Sequence, residues 1–397
     1  MSRNTSPRLR FGGFAGEWEE RKIIDVADYV DYRGKTPKKT EDGIFLITAK
    51  NVKMGCLDYE ISQEFIAIDD FENVMSRGKA KIGDVLITTE APLGNVAQID
   101  REDVALAQRI IKYRGIKGIL NNDFLVQRFL SDKFQAALNA LASGGTVQGI
   151  KGSLLHQMEI SLPSELEQTA LGDFFRRLDE TLAQARARLA KTQQLKRAML
   201  AKLFPAQGET APKLRFQGFS GDWERKMLGG VVEIVMGQSP SSTSYTENPN
   251  DFILVQGNAD MKDGKVFPRV WTTELTKQGK AGDIVMSVRA PVGDVGKTDY
   301  DIVLGRGVCA IKGNEFIYQA LWKMKSDGYW NSVSSGSTFE SVNSDDIKNA
   351  ELLIPSKEEQ TAIGNFFQKL DQTLALQTAA LEKLTNLKKA LLAAMLV

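Results

Sequence analysis

The 397-residue chain holds one histidine and two cysteines. The lone His156 excludes His-rich metal centres and leaves at most one site for imidazole acid–base chemistry. Cys56 and Cys309 stand too far apart for a metal knuckle, and two thiols cannot build a disulfide scaffold, which fits a reducing interior. Long apolar runs are missing too, each being broken by charge well short of the roughly 18 residues of a membrane span. The polar start Ser2-Arg3-Asn4 has no signal-peptide core, so a cytoplasmic protein without membrane attachment is expected. No sign of charge dominates: 51 Lys+Arg against 50 Asp+Glu give +1, so the total announces neither a nucleic-acid binder nor an acidic solvating chain. The common catalytic signatures are absent as well. There is no G-x-x-x-x-G-K-[ST]; the nearest string, Gly257 to Gly264–Lys265, is too long and runs on into Val266. G-x-G-x-x-G, H-E-x-x-H, C-x-x-C and N-P-P-[YF] are not found. The chain reads as non-catalytic, with no metal site.

What is present is the composition of a soluble globular protein, 42% hydrophobic and 25% charged, long enough for two or three domains. It also repeats itself. Residues 9–23 (LRFGGFAGEWEERKI) match 214–228 (LRFQGFSGDWERKML) at 8 of 15 positions. Residues 163–182 (PSELEQTALGDFFRRLDETL) match 355–374 (PSKEEQTAIGNFFQKLDQTL) at 13 of 20. Between these anchors the likeness survives only in patches: GDVLITTEAPLGNV beside GDIVMSVRAPVGDV, LAQR (106–109) beside LGRG (304–307), and SGGT (143–146) beside SGST (335–338). Two copies of one unit share a frame and differ inside.

The second anchor is a helix start. Ser164 with Glu167, and Ser356 with Glu359, have the S-x-x-E spacing of a capping box, in which the glutamate reaches back to the cap. An apolar stripe follows at coiled-coil steps: Leu171, Phe175, Leu178, Leu182 and Leu189 in one copy, Ile363, Phe367, Leu370, Leu374 and Leu381 in the other. Continuing the stripe to Leu195 and Leu387 requires a phase slip in each helix. Each helix of nearly 40 residues would span about 55–60 Å, and the natural partner of one is the other. The remainder shows short β-type runs between turns (Ile44–Thr48, Val85–Thr89, Arg109–Tyr113; Phe252–Val255, Ile284–Val288, Val308–Ile311) and one helix before each SGxT (Asp123–Ala142, Phe316–Ser326). The expected fold is therefore α+β: two mixed α/β globules alternating with two long helices that pair as an antiparallel coiled coil, with pseudo-two-fold symmetry. Its parts are a globule at 1–163, a helix at 164–204, a globule at 205–355 opening with a linker at 205–212, and a helix at 356–397. Two separated heads on a rod suit a two-fold target such as duplex DNA, or two protein partners joined by a coiled-coil adaptor. A stand-alone enzyme is the third class.

The order globule, helix, globule, helix resembles the specificity subunit of type I restriction–modification enzymes. So do WEERKIIDVADYVDYRGKTP (18–37) with WERKMLGGVVEIVMGQSPSS (223–242), the GDVL/GDIV and AP-x-G segments, and the duplicated P-S-x-x-EQ…FF…LD block. The resemblance implies that each globule is a target-recognition domain reading one half of a bipartite, asymmetric site in double-stranded DNA. It implies that the helices are the spacer and the docking surface for two methylation subunits, with restriction–translocation subunits in the full complex. S-adenosylmethionine would belong to the methylation partners, ATP and Mg²⁺ to the restriction partners, and no cofactor to this chain. LAQR departs from LGRG by lacking its glycines, which puts a close backbone approach there in doubt.

Candidate DNA-contacting residues follow from residue type and position. Arg33, Lys35, Thr36, Lys38 and Lys39 form a basic loop that could hold phosphates or reach guanine edges, or could be a solvated loop. Gln238, Ser239 and Ser241 occupy the matching place in copy two. The SGxT stretches offer Gly144, Thr146, Gln148 and Lys151, and Ser335, Thr338 and Asn343; the plain alternative is a turn between helix and strand. Arg289, beside the second AP-x-G, faces guanine in one reading and solvent in the other. His156 and the repeated Trp18, Trp223, Phe174, Phe175, Phe366 and Phe367 read as packing residues, because specificity determinants should differ between copies.

Overall fold

A computed structural model describes residues 6–32, 36–334 and 340–396. It divides into two compact units, residues 1–186 with 380–397, and residues 187–379. Each unit therefore takes the start of one long helix and the end of the other.

In unit 1 an antiparallel sheet runs in the order Ala27–Asp31, Ile110–Gly115, Val85–Thr89, Leu93–Gln98. Its Val85–Thr89 strand is buried at every residue, as a β-branched run between two layers should be. One face carries Phe124, Phe129, Leu155, Leu171 and Phe175, together with Leu392, Met395 and Leu396 from the chain's other end. The other face packs on a second sheet, in which Val104–Leu106 lies parallel to Ile44–Ile47. Unit 2 repeats this plan. Glu233–Met236, Val308–Lys312, Ile284–Ser287 and Val295–Lys297 form the corresponding part of a six-stranded sheet, and Phe252–Val255 pairs parallel with Ile302–Leu304 in a second sheet. The helix expected over 123–142 is in fact two, Asn122–Leu130 and Asp132–Ala140. Ser131 adopts an extended backbone between them and caps the second by accepting from Phe134 N.

The repeated sequence blocks build one frame in each unit. Glu19–Lys22 pairs with Glu159–Leu162, and Glu224–Met227 with Glu351–Ile354, leading directly into the long helices Glu165–Leu203 and Lys357–Met395. Ser164 Oγ accepts from Glu167 N at 3.4 Å and Ser356 Oγ from Glu359 N at 3.3 Å. The glutamates do not complete the expected capping boxes. Glu167 instead takes two hydrogen bonds from Arg10 (2.7 and 2.6 Å), and Glu359 two from Arg215 (both 2.7 Å). A fork-to-carboxylate pair is the stronger arrangement, so a distant arginine displaces the local reach-back. Phe11 meets Phe174 edge-on and Phe216 meets Phe366 likewise, while Trp18 and Trp223 pack on Phe124 and Phe316. Phe175 and Phe367 are fully buried, each contributing about 2–3 kcal/mol of apolar transfer.

Along the helices Leu171, Phe175, Leu182, Ile363 and Phe367 are buried, while Leu178, Leu189, Leu370, Leu374 and Leu381 are half-buried. The expected slip does not occur. Leu195 and Leu387 are exposed, and the heptad continues unbroken through Thr192, Lys196, Met199 and Leu203, and through Leu384, Lys388, Leu391 and Met395. The inward lysines are answered by acids. Lys196 Nζ lies 2.6 Å from Asp371 in unit 2, and Lys388 Nζ 2.5 Å from Asp179 in unit 1. Each unit thus sets the end of one helix against the start of the other, the order of an antiparallel pair. Gln127 donates to the other oxygen of Asp179, and Gln319 to the other oxygen of Asp371, both at 2.8 Å. Among the described residues no helix is long and apolar enough to cross a membrane.

Candidate nucleic-acid interface

In unit 1 three separate segments meet at the end of the buried strand. Thr89 N donates to Arg109 O at 2.9 Å, and Thr89 O accepts from Ile150 N at 3.0 Å. Ser143 and Gly149 exchange backbone hydrogen bonds at 2.9 and 3.0 Å, closing a loop whose residues 144–148 are all exposed. The result is an open cleft of about 500 Å³ lined by Glu90, Gln108, Arg109, Val147 and Lys151 among others. Lys151 lines this cleft, while Thr146 and Gln148 are exposed on either side of Val147, the loop residue that does. Gly144 has φ +125°, and a Cβ there would stand 2.2 Å from Val147 O, so its glycine is needed to close the loop whatever it touches outside.

Arg109 takes φ +72°, a left-handed conformation costing a non-glycine residue about 1–2 kcal/mol. Its guanidinium lies 3.7 Å from the Glu90 carboxylate, with side chains 49% and 43% exposed. A pair so open to water contributes at most about 1 kcal/mol. The strand Ala27–Asp31 enters beside this cleft: a Cβ on Gly152, next to Lys151, would lie 2.9 Å from Asp31 Oδ2. Arg33 and Lys35 lie outside the described residues. Thr36, Lys38 and Lys39 are exposed. Lys39 begins a two-residue strand and stands 2.7 Å from Glu64, so part of its charge is answered inside the protein. Burial pushes the Glu64 carboxyl up, but hydrogen bonds from Lys39 and Ser62 outweigh it and hold it below the usual carboxylate range.

Unit 2 builds the same junction from different side chains. Val288 N donates to Gly307 O at 2.9 Å, Val342 N to Val288 O at 3.0 Å, and Arg289 bridges to Ser341. Arg306 N donates to Ser239 Oγ at 3.1 Å and Gln238 N to Leu304 O at 2.8 Å, which sets the 238–239 loop beside LGRG. The exposed Arg289 and Arg306 stand where unit 1 has Glu90 and Gln108. The glycines of LGRG have an internal reason. A Cβ on Gly307 would fall 2.0 Å from Gln256 O, and one on Gly305 3.0 Å from Gln256 Cα.

Two residues expected at this surface have local duties. Ser241 caps a short 3-10 turn by accepting from Thr243 N, and its own N–H is held by Glu274, a carboxylate that would repel phosphate. Asn343 caps the helix Ser344–Lys348, accepting from Asp345 N and Asp346 N at 2.8 and 3.0 Å. Ser335 and Thr338 lie outside the described residues. His156 is buried, 2.7 Å from Tyr113 Oη through Nδ1 and stacked on Tyr29 at 3.6 Å, a packing position. Among the described residues no three His, Cys, Asp or Glu side chains are grouped as metal ligands would be.

The family model for the type I restriction modification DNA specificity domain matches residues 15–194 and again 220–386. The chain belongs to this family. As a type I specificity subunit it recognises DNA target sequences. It is 24% identical, over 96% of its length and 93% of the relative's, to a Methanocaldococcus jannaschii protein assigned by name as the specificity subunit of the type I restriction enzyme MjaX. Its fold is similar to that of the type I S subunit from M. genitalium (TM-score 0.72, 19% identity, 99% of both chains). It is also similar to a chain from a study of complex assembly and conformational transition in the type I R-M system (TM-score 0.53, 23% identity, 94% of this chain and 96% of that one). In this specificity subunit Gln108, Arg109 and Arg306 are the residues at these junctions that spacing did not single out. Their signal was the faint LAQR/LGRG match, where a missing glycine drew more notice than the arginines beside it.

Proposed function

We propose that the two units read the two parts of a bipartite, asymmetric DNA site, one part each. The observation that supports this is a shared frame holding unlike surfaces. Arg10–Glu167 and Arg215–Glu359, with their tryptophans and phenylalanines, are the same in both units. The junction at the strand end presents Glu90, Gln108 and Arg109 in one unit and Arg289 and Arg306 in the other, where a buried Gly307 replaces Arg109. Side chains that differ at equivalent places suit different base sequences, because base edges carry the sequence information and phosphates do not.

The chain itself chooses the target and leaves chemistry to others. Two methylation subunits, working with S-adenosylmethionine, would dock on the long helices, and restriction–translocation subunits with ATP and Mg²⁺ would complete the assembly. The setting is the cytoplasm, where the DNA is. With a net charge of +1 the chain alone should hold DNA weakly, and the assembled complex better. Methylome sequencing of cells with and without this chain tests the reading. A single two-part methylated motif should disappear with the gene, whereas an unchanged methylome, or loss of a continuous palindrome, refutes it.

A further inference from the structure

We infer that Arg109 is the guanine reader of unit 1 and that Glu90 positions it; the inference rests on DNA reading by this unit. The backbone at Arg109 is left-handed, a conformation glycine would adopt without cost, yet the chain keeps a long cation there. The matching residue of unit 2, Gly307, makes the same backbone bond outside the left-handed region, so the junction itself does not demand that conformation. Strain retained where a smaller residue would relieve it points to use of the side chain itself.

The geometry says what that use is. Arg109 and Gln108 line the cleft together with Lys151 and Val147, the latter from the exposed loop 144–148. The lysine and the loop backbone suit phosphate, which would set the groove against the cleft. Arg109 offers a planar fork, the donor pair that matches guanine O6 and N7. Glu90, 3.7 Å away, does two things. It aims the fork, and its negative charge makes the spot unfavourable for a phosphate, so Arg109 is steered toward a base edge. In unit 2 the acid's place is taken by Arg289, and the cation moves one residue back to Arg306. The same junction then reads a different step of sequence.

The test uses the full chain assembled with its methylation partner. Arg109→Gly removes the fork and relieves the strained backbone, so the complex should unfold at the same temperature or higher. Its methylated motif should keep its spacing and its other half, while one guanine in one half-site becomes degenerate, with discrimination falling about 5- to 150-fold. Arg109→Lys keeps the charge without the fork and should lose the same discrimination while retaining the salt dependence of binding. Glu90→Gln should relax that position partly and no other. In binding assays, 7-deazaguanine at that position should weaken the wild-type complex and leave Arg109→Gly unaffected. An unchanged motif in Arg109→Gly overturns the assignment. So does a uniform fall in affinity with a shallower salt slope, which would mark a phosphate contact, and so does a folded complex with no preference left anywhere. Absence of any motif in the wild type would instead refute DNA reading by the chain.

Discussion

Removing Asp371 should cost unit 2 a large share of its stability, and removing its lysine partner as well should return it. Lys196 has 9% of its side chain exposed and lies 2.6 Å from Asp371, whose other oxygen takes the Gln319 amide at 2.8 Å. In Asp371→Ala the buried ammonium keeps, among the described residues, the Trp322 ring, 4.8 Å from Nζ, a contact worth about 0.5–2 kcal/mol. An uncompensated buried charge costs about 3–5 kcal/mol. Asp371 is 30% exposed, so water reaches the pair and about 3–4 kcal/mol is the better figure. For a unit of about 190 residues this corresponds to a fall in Tm of roughly 6–16 °C. Trp223, Trp271, Trp322 and Trp330 lie in unit 2 and only Trp18 in unit 1, so tryptophan fluorescence during unfolding follows unit 2. The double variant Lys196→Met, Asp371→Leu should regain wild-type stability or exceed it, since apolar replacement of a buried pair is often neutral or better. A stable Asp371→Ala, or a double variant as weak as the single, would refute the reasoning. The same experiment at Asp179 and Lys388 should strike unit 1.

Other expectations are simpler to check. Lys38→Glu should lower DNA affinity of the assembled complex and make its salt slope shallower by about one, measured by titration at several salt concentrations. Lys39→Glu should also destabilise the strand it begins, because it faces Glu64 with like charge. Burial pushes the Cys309 thiol up to about 12, and only the thiolate reacts, so at pH 8 an alkylating reagent should label the exposed Cys56 and reach Cys309 only on unfolding. The sign is fixed: labelling of native Cys309 can rise only as pH approaches that value. Asn343→Ala should cost about 1 kcal/mol through its lost cap, and Asn343→Ser, which can still cap, much less. If Asn343→Ser instead changes the methylated motif, Asn343 reads DNA in addition to capping.

The frame was legible in the sequence because it is written twice and at regular spacing. Strands at Val85–Thr89 and Phe252–Val255 and the two long helices follow from local pattern alone. Long-range pairing was not legible. Glu167 sits where a capping box wants a glutamate, and nothing nearby in sequence shows that Arg10 will claim it. Leu195 and Leu387 drew the stripe off its heptad because leucine looks more buriable than lysine. The expected slip was therefore wrong, and the residue type misled, since Lys196 has a partner 175 positions away at Asp371. At the strand-end junction, the 143–151 loop and the AP-x-G segment were visible as separate motifs. Their meeting with Arg109 depends on Thr89 lying between Arg109 and Ile150 in the backbone ladder, which no single motif encodes.

The division of the helices between units has a consequence for synthesis. Unit 2 is continuous, residues 187–379, and leaves the ribosome with its parts together. Unit 1 begins first but lacks Leu392, Met395 and Leu396, and the bond from Leu9 N to Ala394 O, until all of unit 2 has been made. The half of the protein made first is therefore finished last. A stop codon near position 380 would spare the later half and leave the earlier one open along its apolar seam.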